Sequence, residues 1–163
     1  MKQYPSRLAP TPSPQRRIPS FYAVPGKARA DGWTPLRQAE FIGHLAETRS
    51  VSLAAQHVGM ARETAYRLRR REWAESFCAA WDAAAGHAIE SIFKSHTASA
   101  KVTVAELEWR IASGRWQIIL HRGRYAGVRR KADNFALLQL SQALGMASRR
   151  GANAATPSRK SRP

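Results

Sequence analysis

The chain has 163 residues, of which 27 are lysine or arginine and 11 are aspartate or glutamate, so its formal net charge is +16. This length suffices for one compact domain with tails, and the charge favours a polyanionic partner, either nucleic acid or an anionic membrane surface. The sequence contains no run of about 18 apolar residues, which excludes a membrane-spanning helix and argues against a membrane partner. The single cysteine, Cys78, cannot form an intramolecular disulfide and suggests a reducing, cytoplasmic setting.

The two ends of the chain carry most of the charge. Residues 1–30 contain six cations and no anion, and residues 146–163 contain five cations and no anion, so the ends supply +11 of the +16. Six of the nine prolines also lie in residues 1–30. We expect a disordered basic arm at 1–30 and a disordered basic tail at 146–163, because neither offers enough apolar surface to offset the ordering of the chain. Each segment either lies along a nucleic acid or is simply solvated.

The first helix is predicted to start at Thr34 and Pro35, a capping hydroxyl followed by proline at the first helical position. Its apolar face comprises Leu36, Phe41, Ile42 and Leu45, while Gln38, Glu40 and Glu47 are expected to stay outside.

The stretch from Val51 to Arg71 fits a helix-turn-helix, with a short helix capped by Ser52, a turn at Gly59 and a second helix from about Ala61 to Arg71. The positions that must pack in such a motif are all small or apolar here: Ala54, Ala55, Val58, Met60, Ala65 and Leu68. Ala55 lies four residues before the turn, where helices that cross at ~90–120° leave room for little more than a methyl group.

The outward side of the second helix is strongly basic. At ~100° per residue, the side opposite Ala65 and Leu68 is occupied by Glu63 and Arg70, then by Tyr66 and Arg67. A helix that docks in a major groove presents hydrogen-bonding groups at its front and cations along its edges. The DNA-contacting candidates are therefore Arg62, Glu63, Thr64, Tyr66, Arg67, Arg69, Arg70 and Arg71. The alternative is a solvated basic face on an ordinary helical bundle.

Individual roles follow from the chemistry of each side chain. Arg67 is the first candidate for a base contact, because its planar fork can pair with O6 and N7 of guanine. The alternative for Arg67 is an ion pair with Glu63, which would contribute only ~0.2–0.5 kcal/mol. We expect Glu63 to complement the helix dipole rather than to contact DNA. Arg69 and Arg71 are expected to clamp phosphates.

The segment from Glu72 to Phe93 predicts another helix. Its apolar stripe comprises Trp73, Phe77, Trp81 and Ala84, which recur at helical spacing. Core packing is the preferred role for this stripe and for Cys78, rather than a cofactor site. Tyr66 either donates its hydroxyl to a phosphate or packs against Trp73.

The last third of the chain predicts a helix, a hairpin and a helix. Val104, Leu107 and Ile111 indicate a helix that ends near Gly114. Two β-prone runs around Gly123 then predict a β-hairpin of Arg115–Leu120 and Arg124–Arg130, which needs a partner surface. Residues 132–145 predict a final amphipathic helix that stops at Gly145 and packs inward through Phe135, Leu138 and Leu144.

The predicted fold is thus mainly α-helical. A helix-turn-helix domain occupies 31–90, and a long helical segment, a short β-hairpin and a C-terminal helix occupy 91–145. The tails at 1–30 and 146–163 are disordered. The second region, 91–145, is the expected site of oligomerisation.

Enzyme signatures are weak. The sequence has no G-x-x-x-x-G-K-[ST] loop, and its five histidines show no metal-ligand spacing with Cys78. Glu106 and Glu108 lie two apart on a predicted helix, so they face different ways. We therefore expect no enzyme, no catalytic or metal site and no cofactor; a transposase-associated or other enzyme is the least favoured alternative.

Three segments resemble a group of small bacterial and prophage helix-turn-helix proteins, many of them described as similar to phage terminase small subunits. They are WTPLRQAEFIGHLAET (33–48), VSLAAQHVGMARETAYRLRRR (51–71) and FCAAWDAA (77–84), with a looser similarity in RGRYAGVRRKADNFALLQL (122–140). The chain departs from the group at Arg49, where glycine is usual, and at Ala61, where serine is usual. Loss of a serine cap typically costs ~1 kcal/mol.

The resemblance implies binding of double-stranded DNA through residues 62–71. Two biological roles remain open. A transcription regulator would act as a dimer on two half-sites, whereas a terminase small subunit-like protein would form a ring for DNA packaging with a partner that the sequence does not identify. A homo-oligomer in the cytoplasm, associated with the nucleoid, is expected in both cases.

Overall fold

The computed structural model describes residues 17–26, 29, 31–87 and 102–154. In this part of the chain the protein is mainly helical, with a small three-stranded antiparallel sheet. The elements in order are β1 (Phe21–Tyr22), α1 (Pro35–Thr48), α2 (Val51–His57), α3 (Arg62–Arg69), α4 (Glu75–Ala85), α5 (Val104–Ser113), β2 (Arg115–His121), β3 (Arg124–Lys131) and α6 (Asn134–Ala154). Helix α1 is central, because it contacts α2, α4, β2 and β3.

Helix α1 begins where the sequence predicts. The Thr34 hydroxyl accepts a hydrogen bond from the Arg37 amide at 3.2 Å, and Pro35 occupies the first turn. Phe41, Ile42 and Leu45 are fully buried, as predicted, whereas Leu36 is exposed.

Gln38 was expected outside, but it is fully buried. Its amide oxygen accepts from the Val24 amide at 2.7 Å, and its amide nitrogen donates to the carbonyls of Val24 at 2.9 Å and Trp33 at 3.0 Å. A buried amide is tolerated because all these bonds are made. Gln38 therefore fastens the N-terminal segment to α1.

The prediction that residues 1–30 form a disordered arm is wrong for the segment around β1. Strand β1 pairs antiparallel with β2, with Phe21 opposite Trp116, and Phe21, Ala23 and Val24 are buried. The short apolar run FYAV did not stand out as a strand because the residues around it in the sequence are polar or proline. Residues 1–16 lie outside the described part of the chain.

Helices α2 and α3 meet at the predicted turn, where Gly59 has a φ of +69°. Ser50, not Ser52, caps α2, because its hydroxyl accepts from the Leu53 amide. Of the six predicted packing positions, five are buried and Met60 packs partly buried against the core. Helix α3 is shorter than the predicted 61–71.

Helix α4 begins at Glu75 rather than Glu72. Trp73 lies in the preceding turn with a φ of +59°, so it does not belong to the helical stripe. Phe77, Trp81 and Ala84 are buried as predicted. Gly86 ends the helix with a φ of +94°, and the remainder of the predicted helix, 88–93, lies outside the described residues.

The hairpin is confirmed to within one residue at the end of each strand. Arg122 and Gly123 have φ values of 52° and 80°, which suits a two-residue hairpin turn with both residues left-handed. Trp116 and Ile118 of β2 belong to the same buried cluster as α1, α2, α3 and α4. The predicted separation of 31–90 from 91–145 is therefore wrong, because both regions supply one core.

The last helix differs most from its prediction. Helix α6 continues through Gly145 to Ala154, so residues 146–154 are helical rather than a disordered tail. Ala136 is buried, but Phe135, Leu138 and Leu144 are 67%, 53% and 56% exposed, and the expected inward packing of these three is wrong. Residues 155–163 lie outside the described part.

Candidate nucleic-acid interface

Helix α3 is fixed by packing on its inner side. Ala65 and Leu68 are almost fully buried, and so are Ala54 and Ala55 of α2. Across the turn, the Met60 amide donates to the Ala55 carbonyl at 2.9 Å. An eight-residue helix is not stable by itself in water. This packing therefore both stabilises α3 and fixes its orientation.

The start of α3 has an unusual arrangement. Ala61 is the N-cap, as predicted, and offers no side-chain acceptor. Thr64 donates its hydroxyl to the Ala61 carbonyl at 2.6 Å and accepts from the indole of Trp33 at 3.1 Å. The bond from Trp33 holds α3 to the segment before α1. To donate its hydroxyl to DNA, as expected, Thr64 would have to break its bond to the Ala61 carbonyl.

The outward side of α3 carries Glu63 and Arg67, and the C-cap residue Arg70 continues this side; all three are exposed. Among the residues that the structure describes, no ion pair, side-chain hydrogen bond or ring contact involves these three side chains. In particular, Arg67 does not pair with Glu63. As far as the described residues go, the guanidinium groups of Arg67 and Arg70 are free to bind a ligand.

Arg62 stacks on Tyr66 at the edge of this surface. The Arg62 guanidinium lies 5.6 Å from the centre of the Tyr66 ring, and that ring lies 5.6 Å from the ring of Trp81. Tyr66 therefore packs against Trp81, not against Trp73 as the second alternative proposed. Cation–π contact at an exposed site contributes about 0.5–1 kcal/mol, enough to orient Arg62 without fixing it.

Arg69 differs from its neighbours because its guanidinium group already has partners within the fold. One terminal nitrogen lies 2.8 and 2.9 Å from the two carboxylate oxygens of Asp82, and the guanidinium lies 5.3 Å from the centre of the Trp81 ring. The predicted phosphate clamp is thus a bridge from α3 to α4. Arg71 donates to the Pro25 carbonyl at 3.2 Å but remains exposed.

Cys78 belongs to the same α3–α4 contact. Its thiol donates to the Arg69 carbonyl at 3.4 Å. Burial raises the pKa of the Cys78 thiol, and this outweighs the opposite effect of the Arg69 charge. A protonated, half-buried thiol is unreactive, which agrees with a packing role.

Two basic features of the structure were not predicted from the sequence. Arg49 ends α1 with a φ of +57° and donates to the Ala84 carbonyl at 2.7 Å, so it ties α1 to the end of α4. The outward face of the sheet carries Arg115, Arg129 and Lys131, all exposed. The alternation of polar and apolar residues in RWQIILH could have predicted that polar face.

Within the described ranges, no three histidine, cysteine, aspartate or glutamate side chains come close enough to hold a metal ion. No described helix combines the length and apolarity needed to cross a membrane. Comparison with protein-family models, curated proteins and solved structures finds no match to this chain. The chain's own residues are therefore the basis for assigning its function.

Proposed function

We propose that this protein binds double-stranded DNA, with α3 in the major groove. The observation that carries the proposal is the pair Arg67 and Arg70, which project from a helix whose opposite side is buried and which have no protein partner in the described chain. Arginine forks pair with the O6 and N7 acceptors of guanine. Arg67 is the base-reading candidate, with Arg70 next to it.

The dimensions of α3 suit such a site. An α-helix with its side chains has a diameter of ~10–12 Å, which fits the ~12 Å width of the major groove. Arg62 and Arg71 flank the outward side and are placed to contact phosphates. The net charge of +16 adds a long-range attraction for DNA that depends on salt.

Glu63 has a different role in this proposal. It lies in the first turn of α3, where a carboxylate complements the partial positive charge of the helix end. Because phosphates repel carboxylates, Glu63 restricts which orientations of the helix on DNA are favourable.

We further propose that a second copy of the chain covers α6. This helix contacts α5, and yet its exposed apolar side chains point in several directions around the axis: Phe135, Leu137, Leu138, Leu144 and Met146. At ~100° per residue, Phe135 and Met146 lie within ~20° of each other and almost opposite Leu137 and Leu144. Grouped exposed apolar side chains of this kind are typical of a surface that another protein chain covers. Self-association would also double the DNA contacts.

Two biological roles are compatible with this arrangement: a regulator that binds paired half-sites as a dimer, and a DNA-packaging protein that resembles phage terminase small subunits and forms a ring. Both would act on the nucleoid or on phage DNA. Light scattering on the purified protein distinguishes the two assemblies by mass.

The DNA-binding proposal is tested by selecting bound duplexes from a random pool and comparing variants on the selected site. Arg67→Ala should reduce the difference in binding free energy between this site and random DNA by ~1–3 kcal/mol. Its thermal stability should not change, because Arg67 has no partner in the described structure. Arg162→Ala, in the C-terminal tail, removes the same charge and should weaken binding to both duplexes alike.

If selection enriches no sequence, and Arg67→Ala behaves like Arg162→Ala, then α3 is not a base-reading helix. The protein would instead bind DNA as a sequence-independent electrostatic surface.

A further inference from the structure

The sheet has one buried face and one basic face. Trp116 and Ile118 of β2 point toward α1 and are buried, whereas Arg115 and Gln117 alternate with them and are exposed. On β3, Lys131 lies opposite Arg115 and Arg129 lies opposite Gln117. The outward face therefore groups three cations and an amide on two adjacent strands.

This grouping of cations runs against the usual preference of antiparallel strands for opposite charges in facing positions. Like charges directly opposite each other, as Arg115 and Lys131 are, destabilise a strand pair. Within the described residues, no carboxylate lies within salt-bridge distance of Arg115, Arg129 or Lys131. Asp133 is the one acidic residue after Glu108, and its buried carboxylate already accepts bonds from the Tyr22 hydroxyl and the Ala136 amide.

Arg130 shows what a structural arginine on the same strand does. Its guanidinium donates to the carbonyls of Ser113 at 2.9 Å and Ala112 at 2.6 Å, where it satisfies the last turn of α5. The fold uses this cation to cap a helix and leaves its neighbours Arg129 and Lys131 without such a partner in the described chain.

The basic face also contains a shallow cavity. It has a volume of about 230 Å³ and is lined by Ser20, Arg115, Gln117 and Lys131. All four side chains can donate hydrogen bonds, and none is acidic. A guanidinium, an ammonium, an amide and a hydroxyl around one concavity are a donor set that fits phosphate oxygens.

We propose that this outward face of β2 and β3 binds the phosphate backbone of nucleic acid, as a contact surface separate from α3. The cations continue beyond the cavity: Arg129 lies two residues from Lys131 along β3, which is ~6.7 Å, so the face offers contacts to more than one phosphate. A membrane surface fits less well, because Ile119 is the one large apolar side chain that this face exposes, and interfacial membrane binding uses rows of them.

Lys131 provides a direct measurement on the full-length, unaltered chain. The sequence has six lysines, and Lys131 is the one that lies in the described residues. An amine-reactive reagent followed by mass spectrometry reports how fast each lysine is modified. A short duplex of random sequence should slow the modification of Lys131 severalfold. Inorganic phosphate at the same phosphate concentration should slow it much less, because a free phosphate makes the contacts of one site whereas a duplex makes several at once.

A triple variant, Arg115→Gln with Arg129→Gln and Lys131→Gln, measures the contribution to binding. It should reduce the magnitude of the negative slope of log affinity against log salt by about 2–3, since each lost phosphate contact contributes ~0.9. The matched control removes the same charge from the C-terminal tail through Arg159→Gln, Lys160→Gln and Arg162→Gln. In that control the duplex should still protect Lys131.

Three results would overturn the inference: a duplex at saturation that leaves Lys131 as reactive as in the free protein; protection by inorganic phosphate as strong as that by the duplex; and protection by anionic phospholipid vesicles but not by the duplex. None of these requires the triple variant to fold. The double variant Arg67→Ala with Arg70→Ala separates this proposal from that for α3. If α3 reads the DNA sequence, this variant loses its preference for the selected site. Whether the sheet binds DNA is decided separately, by whether the duplex protects Lys131.

Discussion

Individual arginines of this chain have different roles although they are close in sequence. Arg67 is exposed and free of partners in the described structure, whereas Arg69 is bound to Asp82 and lies over Trp81. Helical spacing separates these two residues by about 200°. The sequence shows that they face different ways, but only the position of α4 shows that Arg69 meets a carboxylate.

At the residue scale, Ala61→Ser should raise the free energy of unfolding by about 0.5–2 kcal/mol. Ala61 is the N-cap of α3, with extended backbone and no side-chain cap bond. A serine hydroxyl there can accept from the Glu63 amide, or share the Thr64 amide, which already donates to the Ala61 carbonyl at 3.0 Å. The measurement is a thermal or denaturant melt. Ala61→Val is the control, because valine also tolerates extended backbone but has no acceptor, and it should give no gain. A serine variant that melts no later than wild type would contradict this role for the cap.

At the element scale, α1 and the hairpin are joined by a very close contact. Gly43 of α1 faces the Tyr125 ring, which also lies 4.8 Å from the His44 ring. His44 stacks on His57 at 4.5 Å. Burial lowers the pKa of His44, and the neighbouring His57 lowers it further, so His44 is neutral in this contact at pH 7. The absence of a side chain at Gly43 is what allows the ring to approach.

Gly43→Ala should therefore destabilise the protein. A Cβ atom there would lie 2.3 Å from a carbon of the Tyr125 ring, so the ring or the hairpin that carries it must shift. Alanine at an open helical site usually adds about 0.5–1 kcal/mol to stability. Gly145→Ala in α6 is the matched control, because no atom lies within 4 Å of its added Cβ, and it should show that gain. Equal melting shifts of the same sign for both variants would contradict the close contact.

At the scale of the whole molecule, one core is assembled from distant parts of the chain. Phe21 of β1, Phe41 of α1, Phe77 of α4 and Trp116 of β2 all belong to it. Removing residues 115–163 would thus expose the core as well as remove α6. A test of self-association needs substitutions on the surface of α6 instead.

Leu137→Gln combined with Leu144→Gln should lower the mass of the assembly while the melting temperature of the isolated fold changes little. The two side chains lie two turns apart on one side of α6 and are 54% and 56% exposed, so a polar change there costs the single chain little. Light scattering measures the mass. Val104→Gln changes an exposed apolar side chain on α5 instead and should leave the mass unaltered. Full assembly mass in the double variant would place the interface elsewhere.

The sequence by itself determined the features whose causes are local. Thr34 and Pro35 start α1, Gly59 turns the chain between α2 and α3, and the hairpin turn at Gly123 needs residues that tolerate left-handed backbone. Each of these depends on the conformational preference of one or two residues. The outward side of α3 could also be predicted, because a periodicity of 3.6 residues and the apolar positions Ala65 and Leu68 fix it.

Only the tertiary structure decided the features that depend on a partner far along the chain. The run FYAV became a strand because β2 supplied its hydrogen bonds, and Gln38 became buried because Val24 and Trp33 satisfied its amide. Gly145 did not end α6, since a glycine can continue a helix at a cost of about 1 kcal/mol. The basic face of the sheet exists because the register sets Lys131 opposite Arg115. The pairing of Phe21 with Trp116 joins parts of the chain that lie far apart in sequence, so no local pattern around β1 could predict its partner.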